Sequence, residues 1–404
     1  MLKKTRSVCP ECFEELDAVV YEKDNAVYME KECAKHGKFK VMIEKDVKLY
    51  NKLMNKTPKN EQTEPKNFII PFSRKCNLHC KICYLPYKSK EIPLQTFEKR
   101  IGDFDWNLLC ISGGEPTLRE DLPDLIKFIN QRKKKHSLLT NGITLSDEKY
   151  VKTLKQAGLN TVHFSINALD KQLSDKIDGD DSLNPKLRGL ENLRKNRIYI
   201  TLSTMIIKGL NENQIRKVFE YYLEHPEFVS EWRIRSSVKV GRHGDIDALY
   251  LSELIKHLCT VTGADYNYIL KKFDKQKNPG STPCKISLSL VFERAHGKLR
   301  LLFVEVNENE MLPFFNSGYG KLAFGSKILN YQGIGGLLKY LKRKAINNTD
   351  VIILPVKIRS WPTKYSIDLE ELSYCRTISI AEDEKEYPFC YALILNEKLN
   401  DARR

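Results

Sequence analysis

The stretch RKCNLHCKICYL, residues 74–85, contains three cysteines, Cys76, Cys80 and Cys83, followed directly by Tyr84. A structural zinc site takes four ligands, usually from two C-x2-C pairs, and the bacterial ferredoxin run contains a fourth cysteine close by. Neither template fits the spacing C-x3-C-x2-C. Three thiolates can instead bind three irons of a [4Fe–4S] cluster, which leaves the fourth iron open to a ligand that is not protein.

Around this loop, from about residue 67 to residue 240, strand-like and helix-like segments alternate. The strand-like segments are NFIIPFS (67–73), WNLLCIS (106–112), HSLLTNG (136–142), TVHFSIN (161–167), IYITLSTMII (198–207) and EWRIRSSV (231–238). This alternation predicts an α/β fold with a parallel sheet and right-handed crossovers, and six βα units favour a partial barrel over a flat doubly wound sheet. Active sites of such folds lie at the carboxyl ends of the strands, and the three-cysteine loop follows the first strand.

A second motif, SGGEPTLRED (112–121), follows the second strand. Gly113 and Gly114 allow the backbone to approach a ligand closely, Glu115 offers a carboxylate to a cationic group, and Pro116 fixes the turn. Taken alone, the segment is also compatible with an ordinary turn between a strand and a helix. Because it lies one strand away from the three-cysteine loop, it strengthens the prediction of a cofactor site.

The N-terminal segment CPECFEELDAVVYEKDNAVYMEKECAKHG (9–37) contains two further pairs of metal-ligand type. Cys9 and Cys12 form a C-x2-C pair, and Cys33 and His36 form a C-x2-H pair. Two such pairs on either side of a hairpin are typical of a zinc ribbon or rubredoxin-like site, with zinc or iron in a structural role. The alternative is that His36 only caps a turn before Gly37, so that the three cysteines need another ligand.

The chain divides by pattern into three predicted domains. These are an N-terminal ribbon (1–54), a partial barrel (67–244) after the polar linker NKTPKNEQTEPKN (55–67), and a C-terminal α+β domain (245–404). In the C-terminal domain the pattern predicts helices at 250–263 and 333–346, a loop at 277–283, and strands at 284–292, 298–306, 351–358, 377–383 and 390–396.

Composition limits the cellular setting and the partners. No apolar run approaches the roughly 18 residues of a transmembrane helix, and the start MLKKTRSVCP lacks the apolar core of a signal peptide, so we expect a cytoplasmic protein. The eleven cysteines follow metal-type spacings and not a small disulfide framework. The 67 basic and 52 acidic residues give a net charge of +15, which favours an anionic partner unless it reflects only a lysine-rich background.

Two basic segments, QRKKKH (131–136) and KYLKRK (339–344), raise the question of a surface partner. The second lies in an apolar and basic pattern typical of a helix on a membrane surface, so peripheral membrane or lipid contact is one hypothesis. Solvated helix faces are the simpler alternative. Nucleic-acid binding is disfavoured because the sequence has no recognisable aromatic stacking platform, and a basic metal-ribbon protein that binds nucleic acid stays a remote alternative.

The cysteine spacing, the aromatic residue after it and GGEP after the next strand together resemble the radical S-adenosylmethionine (SAM) superfamily. The resemblance implies a partial (β/α)6 barrel in which Cys76, Cys80 and Cys83 bind a [4Fe–4S] cluster and SAM chelates the fourth iron. It also implies that GGEP (113–116) receives the methionine amine and that Tyr84 lies near the adenine. A low-potential donor such as ferredoxin or flavodoxin would reduce the cluster, which would cleave SAM to a 5′-deoxyadenosyl radical that abstracts hydrogen from an unactivated carbon.

The resemblance also suggests further SAM contacts at the ends of later strands, where polar residues would bind the ribose and the carboxylate. The matching residues are Thr140, Asn141, Ser165, Asn167, Ser203 and Arg235. The alternative for several of them is that they only satisfy backbone groups at strand ends.

A narrower resemblance is to radical SAM proteins similar to archaeal tetraether lipid synthase. It rests on CPEC…KECAKHG, CNLHCKICY, SGGEPTLREDLP, SSVKVGRHG (236–244) and the closing segment 351–396. It implies activation of sp3 C–H bonds, C–C bond formation or alkyl modification of a lipid or isoprenoid-like substrate, and auxiliary iron–sulfur clusters. The alternative is a peptide- or cofactor-modifying radical SAM enzyme. A deep apolar cavity beside the SAM site would favour the lipid, and an open polar groove would favour the alternative.

Three C-terminal cysteines, Cys284, Cys375 and Cys390, are the candidates for an auxiliary [4Fe–4S] cluster. Cys375 stands alone where the narrower group has paired cysteines, so the sequence leaves the number of auxiliary clusters open. The alternative is that all three are small buried hydrophobic residues. Cys110, inside a strand pattern, and Cys259, on a helical pattern, are predicted to be core residues.

Overall fold

The computed structural model describes residues 1–55, 66–85, 91–102, 106–179, 181–238, 247–274, 283–295, 297–306, 350–375, 377–380 and 385–401. The predicted basic helix at 333–346, nearly all of the predicted loop at 277–283 and most of SSVKVGRHG lie outside these ranges. Among the helices within them, none combines the length and apolar character needed to cross a membrane.

The N-terminal region is an antiparallel sheet with the strands in chain order. Its elements are β1 (Lys3–Val8), β2 (Glu15–Lys23), β3 (Ala26–Cys33) and β4 (Gly37–Glu44), followed by α1 (Val47–Met54). Asp24 and Asn25 connect β2 to β3 with φ of 51° and 58°, which is the left-handed conformation that a two-residue hairpin turn requires and that Asp and Asn tolerate.

Within the described residues the second sheet has eleven strands, and its centre is the predicted partial barrel. Its six parallel strands are β5 (Lys66–Ser73), β6 (Trp106–Gly113), β7 (His136–Thr140), β8 (Thr161–Ser165), β9 (Tyr199–Ile206) and β10 (Val229–Ser236). The helices between them are α2 (Leu94–Gly102), α3 (Leu122–Gln131), α4 (Glu148–Gln156), α5 (Lys171–Asp178), α6 (Leu183–Lys195) and α7 (Gln214–Glu224). Each strand pairs with the next in sequence, which confirms the predicted fold.

The two faces of the barrel sheet differ in polarity. On β10 the large side chains of Trp232 and Ile234 are fully buried in the core formed with the helices. The alternate residues Arg233 and Arg235 are only partly buried and lie on the opposite face, since successive side chains of a strand point to opposite faces. This second face, the inner face of the barrel, is where a polar ligand would be accommodated.

The C-terminal region extends the barrel sheet at both edges. Its elements are α8 (Leu251–Thr262), α9 (Tyr266–Asp274), β11 (Lys285–Ala295), β12 (Lys298–Val306), β13 (Asp350–Arg359), α10 (Leu369–Ser373), β14 (Thr377–Ile380), β15 (Glu386–Pro388) and α11 (Phe389–Asp401). Strand β13 pairs with β10 in parallel, and β14 pairs in parallel with β5 at the other edge. The predicted domain limits at 54, 67, 244 and 245 remain predictions.

One element predicted from the sequence is wrong. Residues 390–396, CYALILN, are predicted to be a strand but lie in helix α11. Cys390, Leu393 and Ile394 are buried together, at the i, i+3, i+4 spacing of one helix face. A short continuous apolar run does not distinguish a buried strand from a buried helix, and here burial of one helix face determined the outcome.

The ribbon sheet is attached to the C-terminal region by polar contacts. Lys3 forms ion pairs of 2.7 Å with Asp368 and 2.8 Å with Glu371. The Ser7 hydroxyl donates a hydrogen bond of 2.6 Å to the carbonyl of Ile367, and buried Lys31 donates one of 2.8 Å to Ser7. The ribbon is therefore connected to the chain segment that crosses between the two edges of the barrel.

Candidate functional site

The three-cysteine loop lies at the carboxyl end of β5, and its three cysteines are partly buried residues. The loop is fixed against the end of α5, where Lys81 donates a backbone hydrogen bond of 2.9 Å to the carbonyl of Ile177. The Cys80 thiol lies 3.6 Å from the carbonyl oxygen of Asp178. Three cysteines on one loop, at the edge where strands end, fit a cluster that keeps one iron open.

A buried polar network supports this loop from below. The Asp178 carboxylate pairs with the Lys186 ammonium, and both side chains are almost fully buried. The Asn167 amide donates a hydrogen bond of 2.8 Å to Asp178, and its oxygen accepts one of 2.9 Å from the backbone of Met205. Asn167 is therefore engaged by protein partners at the strand ends, and its predicted contact with SAM remains a prediction.

The glycines of GGEP bring two backbones into close contact. A Cβ atom at Gly113 would lie 2.1 Å from the carbonyl oxygen of Ser73, and one at Gly114 would lie 2.2 Å from that of Lys75. The Gly114 and Glu115 amides each donate a hydrogen bond of 2.7 Å to these same carbonyls. The backbone that GGEP approaches closely is therefore the segment from Ser73 to Lys75, which leads into the three-cysteine loop. GGEP thus fixes the start of that loop.

The carboxylate of Glu115 is fully buried and connects the ends of β6 and β7. It accepts hydrogen bonds of 2.5 Å from the Thr117 hydroxyl, 2.7 Å from the Thr140 hydroxyl and 2.7 Å from the backbone N–H of Asn141. Burial raises the pKa of Glu115 above its ordinary value. The side-chain amide of Asn141 in turn donates a hydrogen bond of 2.8 Å to the side-chain oxygen of Asn77 inside the loop. Glu115, Thr140 and Asn141 therefore support the loop together.

The predicted residues Ser165 and Ser203 are paired in register on β8 and β9. Both are partly buried. Ser203 is also in register with Arg233 of β10, which places the serines on the inner face. This position is compatible with the predicted contacts of the two serines with SAM, which remain predictions.

The inner face carries a group of basic side chains that we call the cationic face: Arg233, Arg235, Lys285, Lys357 and Arg359. Arg233 is in register with Lys357, and Arg235 with Arg359, across β10 and β13. Lys285 of β11 is in register with Arg359. The sequence had singled out only Arg235. Three of the other four, Arg233, Lys357 and Arg359, could have been found from the alternation of basic and apolar residues in EWRIRSS and LPVKIRS. Lys285 lies outside both stretches.

One carboxylate, Glu231, lies beside the cationic face. It contacts the guanidinium of Arg233 and forms an ion pair of 2.9 Å with Lys357. Although burial alone would raise the pKa of Glu231, Arg233 and Lys357 hold it far below its ordinary value. Burial also holds the pKa of His163 well below 6.5, so that this imidazole is neutral beside Arg233, from which it is 3.2 Å away.

The positive charges of the other three side chains of the cationic face are less fully neutralised by carboxylates. Within the described ranges, neither Arg235 nor Arg359 nor Lys285 has a carboxylate partner. Burial and the neighbouring Arg233 lower the pKa of Arg235 to about 10. Burial and the neighbouring Arg359 lower the pKa of Lys285. These side chains hold positive charge where it is costly to keep without a counter-ion.

Tyr84 packs on aromatic residues that the sequence did not identify. Its ring lies 6.2 Å from that of Trp361 and 6.0 Å from that of Phe389. Trp361 also lies 5.6 Å from the guanidinium of Arg359. The C-terminal region therefore reaches the three-cysteine loop. The predicted proximity of Tyr84 to adenine remains a prediction.

The C-terminal thiols, Cys284, Cys375 and Cys390, lie in three separate segments near Arg359. Burial raises the pKa of both Cys375 and Cys390, the nearby Arg359 opposes the rise, and Cys284 is close enough to both to contribute. They do not form a group with all three sulfurs within 4.8 Å, the spacing of donors around a single ion. Cys110 and Cys259 are buried, in agreement with their prediction as core residues.

The ribbon site, Cys9, Cys12, Cys33 and His36, has all four ligand atoms within 4.8 Å of one another. The Cys12 and Cys33 sulfurs are 3.8 Å apart, and His36 Nδ1 lies 3.6 Å from the Cys9 sulfur and 3.5 Å from the Cys33 sulfur. Zinc bonds of about 2.3 Å to sulfur and about 2.0–2.1 Å to nitrogen give tetrahedral edges of about 3.8 Å and about 3.6 Å. The donor set therefore fits one tetrahedral ion, with His36 as the fourth ligand.

Comparisons with known protein families agree with this geometry. Residues 70–222 match the family model described as the radical SAM superfamily. Residues 1–45 match the model described as the HMPTM N-terminal zinc ribbon domain. The barrel therefore matches a radical SAM domain, for which SAM and a [4Fe–4S] cluster are the cofactors, and a segment that matches a zinc ribbon precedes it.

Individual relatives are similar over part of the chain. The 7,8-dihydro-6-hydroxymethylpterin dimethyltransferase of Methanocaldococcus jannaschii is 30% identical over 57% of this chain and 52% of its own length. The GTP 3′,8-cyclase of Aliarcobacter butzleri is 32% identical over 45% of this chain and 60% of its own. The chain thus spans about half the length of the curated relatives that it matches.

Among solved structures, Streptococcus suis SuiB bound to S-adenosylmethionine is 20% identical, with a TM-score of 0.43 over 49% of this chain and 47% of that one. This likeness is weak. The relatives named above are of pterin-methylating and GTP-cyclising types. The narrower resemblance to tetraether lipid synthases finds no support among them.

Proposed function

We propose that the chain is a radical SAM enzyme that modifies a small anionic substrate of the cofactor class at a carbon atom. The observation that carries the proposal is the cationic face, which lies on the inner face of the barrel near the three-cysteine loop. When bound, the cluster and SAM supply the one-electron chemistry that removes hydrogen from an unactivated carbon. The protein residues bind, orient and shield these groups.

Each part of the site has a proposed role. Cys76, Cys80 and Cys83 bind the cluster, while Glu115 and Asn141 hold their loop in place. The backbone of GGEP and the side chains of Ser165, Ser203 and Arg235 contact SAM. Tyr84, packed against Trp361 and Phe389, excludes water from the edge of the site.

The comparisons favour a heterocyclic substrate. The two curated relatives are named for a pterin and for GTP, and both compounds contain a bicyclic nitrogen heterocycle. The ribbon and the barrel match different family models, and one of the relatives is named for a hydroxymethylpterin. A small polar heterocycle also suits the inner face better than an alkyl chain does.

A lipid substrate, the finer prediction from the sequence, is less well supported. It calls for a deep apolar cavity beside the SAM site, whereas the described inner face presents the cationic face together with serines. An alkyl chain placed there would remove charged groups from water without giving them a partner, which is unfavourable. The observations therefore favour the cofactor-modifying alternative, and the radical SAM domain disfavours the nucleic-acid alternative.

We further propose that the C-terminal thiols bind an auxiliary [4Fe–4S] cluster. Their positions near Arg359, in three separate segments, support this role, and a cluster tolerates wider spacing than a single ion because several metal atoms share the ligands. Reduction by ferredoxin or flavodoxin, cytoplasmic location and membrane contact through residues 339–344 remain predictions.

The test supplies anaerobically reconstituted protein with SAM, a reductant and one of three compounds: a dihydropterin, GTP or a long-chain membrane lipid. We expect a polar heterocycle to increase formation of 5′-deoxyadenosine and to gain or lose mass itself, as measured by mass spectrometry. The matched control is the Cys76→Ala variant, which keeps the ribbon site. Stimulation by the lipid alone would overturn the cofactor class, and absence of SAM cleavage under every condition would overturn the radical SAM activity.

A further inference from the structure

We propose that the cationic face binds a phosphate group of the substrate, with Arg359, Lys285 and Trp361 as the principal donors. This inference rests on the proposed function and deepens it, because it names the chemistry of the substrate's anionic part. Neither the cysteine motifs nor the comparisons assign a role to these three residues.

The first observation is their position. Arg359 ends β13 and is in register with both Arg235 and Lys285. The carboxyl ends of β5, β10 and β13 lie at the same edge of the sheet, because these strands are parallel through the barrel. Trp361 lies near both Arg359 and the three-cysteine loop, since its ring is 5.6 Å from the guanidinium of Arg359 and 6.2 Å from the ring of Tyr84. An anion at Arg359 would therefore lie beside the three-cysteine loop.

The second observation is the balance of charge. The cationic face has five basic side chains, and Glu231 already contacts two of them, Arg233 and Lys357. The carboxylate of SAM would account for one more, at Arg235. Arg359 and Lys285 would still have no carboxylate partner within the described ranges. Buried or half-buried cations in this state are stabilised by a bound anion.

The third observation is an unused donor. The indole N–H of Trp361 is buried and has no hydrogen-bond partner among the described residues. A buried donor without a partner costs about 1–3 kcal/mol, so it indicates a ligand or ordered water at this place. The indole N–H, the guanidinium and the ammonium are all donors and none is an acceptor, which suits phosphate oxygens and excludes a cationic ligand.

Phosphate is favoured over a single carboxylate for two reasons. A guanidinium binds two phosphate oxygens at once through its planar fork, and an ammonium adds a point charge. A phosphate dianion also neutralises both Arg359 and Lys285. The phosphate could belong to a soluble nucleotide-like compound or to a lipid headgroup, and the test distinguishes these two sources.

The experiment measures binding of inorganic pyrophosphate by calorimetry to the full chain, anaerobically reconstituted and free of SAM. The variant is Arg359→Gln/Lys285→Gln, and the matched control is Arg188→Gln/Lys176→Gln, which removes two exposed cations from α6 and α5. We expect the first variant to bind at least about tenfold more weakly, as loss of charge-assisted hydrogen bonds implies, and the control to bind like the parent chain. Equal losses in both variants would overturn the proposal.

Two further measurements distinguish a phosphate site from a site that serves only the SAM carboxylate. SAM binding, measured by equilibrium dialysis, should change little in the Arg359→Gln/Lys285→Gln variant, and a loss of SAM binding equal to the loss of pyrophosphate binding would overturn the proposal. Arg359→Lys keeps the charge and should retain part of the pyrophosphate binding, which guards against a variant that fails to fold. Metal content of the ribbon site confirms folding.

Displacement identifies the source of the phosphate. We expect GTP to displace pyrophosphate, and displacement by short-chain phosphatidic acid alone would keep the phosphate site but assign it to a lipid headgroup. Displacement by neither compound would overturn the proposal. Failure of SAM cleavage in the parent chain with pyrophosphate binding intact would overturn only the proposed function, whereas SAM cleavage without pyrophosphate binding would overturn only this inference.

Discussion

The ribbon site and the C-terminal thiols contain the same kind of ligand but are built in opposite ways. The ribbon site takes its four donors from two short turns of one small sheet, and the donor distances match a single tetrahedral ion. The C-terminal thiols come from three segments at opposite edges of the large sheet. The first site depends on local structure and the second on the complete tertiary fold.

This difference predicts different consequences of losing one ligand. A closed tetrahedral site contributes its metal-binding energy to folding, so the ribbon site is a folding element. The C-terminal thiols lie beside a sheet that has its own large core, so their loss should remove a cofactor without unfolding the chain. The four predictions below test this comparison, from the largest expected effect to the smallest.

The largest effect is expected for Cys33→Ser in the ribbon site. Structural zinc contributes roughly 10–16 kcal/mol in small zinc-dependent domains, so its loss should unfold strands β1–β4. Metal analysis should show loss of the mononuclear ion, and hydrogen exchange should show loss of protection in residues 1–45. The matched variant Cys375→Ser should keep both. Retention of a protected ribbon in Cys33→Ser would contradict the folding role.

The second effect concerns iron content. In a variant with Cys76, Cys80 and Cys83 changed to alanine, about four irons with matching sulfide should remain after reconstitution, because the C-terminal thiols still bind a cluster. Adding Cys375→Ala should remove these irons and leave the ribbon metal. A first variant with at most about one iron and no sulfide would show that the C-terminal thiols are structural and bind no cluster.

The third prediction tests whether Gly114 is needed because of its close backbone contact and not because of the conformational freedom of glycine. Gly114→Ala should lower the free energy of unfolding by about 1–3 kcal/mol through overpacking, since its Cβ would lie 2.2 Å from the Lys75 carbonyl oxygen. It should also reduce iron bound at the adjacent loop. Gly102→Ala is the control, because a Cβ at Gly102 meets nothing within 4 Å. Thermal unfolding and iron analysis measure both, and equal behaviour of the two variants would exclude overpacking as the cause.

The smallest effect is expected on the pH dependence of the free energy of unfolding. His163 is neutral in the folded chain because burial and the nearby arginines hold its pKa well below 6.5. In the unfolded chain it binds a proton near pH 6.5 and below, so the unfolded state holds more protons and stability falls as pH decreases from 6.5. The slope contributed by one group is up to about 1.4 kcal/mol per pH unit. His163→Gln should flatten the stability profile between pH 6.5 and 5, measured by denaturant unfolding, and an unchanged profile would show that another group is responsible.

The sequence predicted the parts of the fold that depend on local patterns. The alternation of strand and helix gave the six barrel strands, and pair spacing gave the four residues that the structure gathers at the ribbon site. The strand predicted at 390–396 failed because a short apolar run has no intrinsic preference between strand and helix.

What depends on long-range pairing could not be predicted. Nothing in TISI or in NFIIPFS indicates that β14 pairs with β5, and the contact of Trp361 and Phe389 with Tyr84 follows from that arrangement. The cationic face could be predicted only in part. Its alternating residues are visible in the sequence, but their proximity depends on the pairing of β10 with β13.

The pairing of β14 with β5 also constrains how the chain reaches its native state. Asn67 and Phe68 pair with Thr377 and Ile378, so one edge of the first barrel strand stays open until residues 377 and 378 have been synthesised. Unpaired strand edges are sites of aggregation, and contacts of such long sequence separation form slowly. The barrel core is therefore expected to collapse well before its sheet is sealed. A ribosome-bound chain that ends before residue 377 should consequently be more prone to self-association than the finished protein.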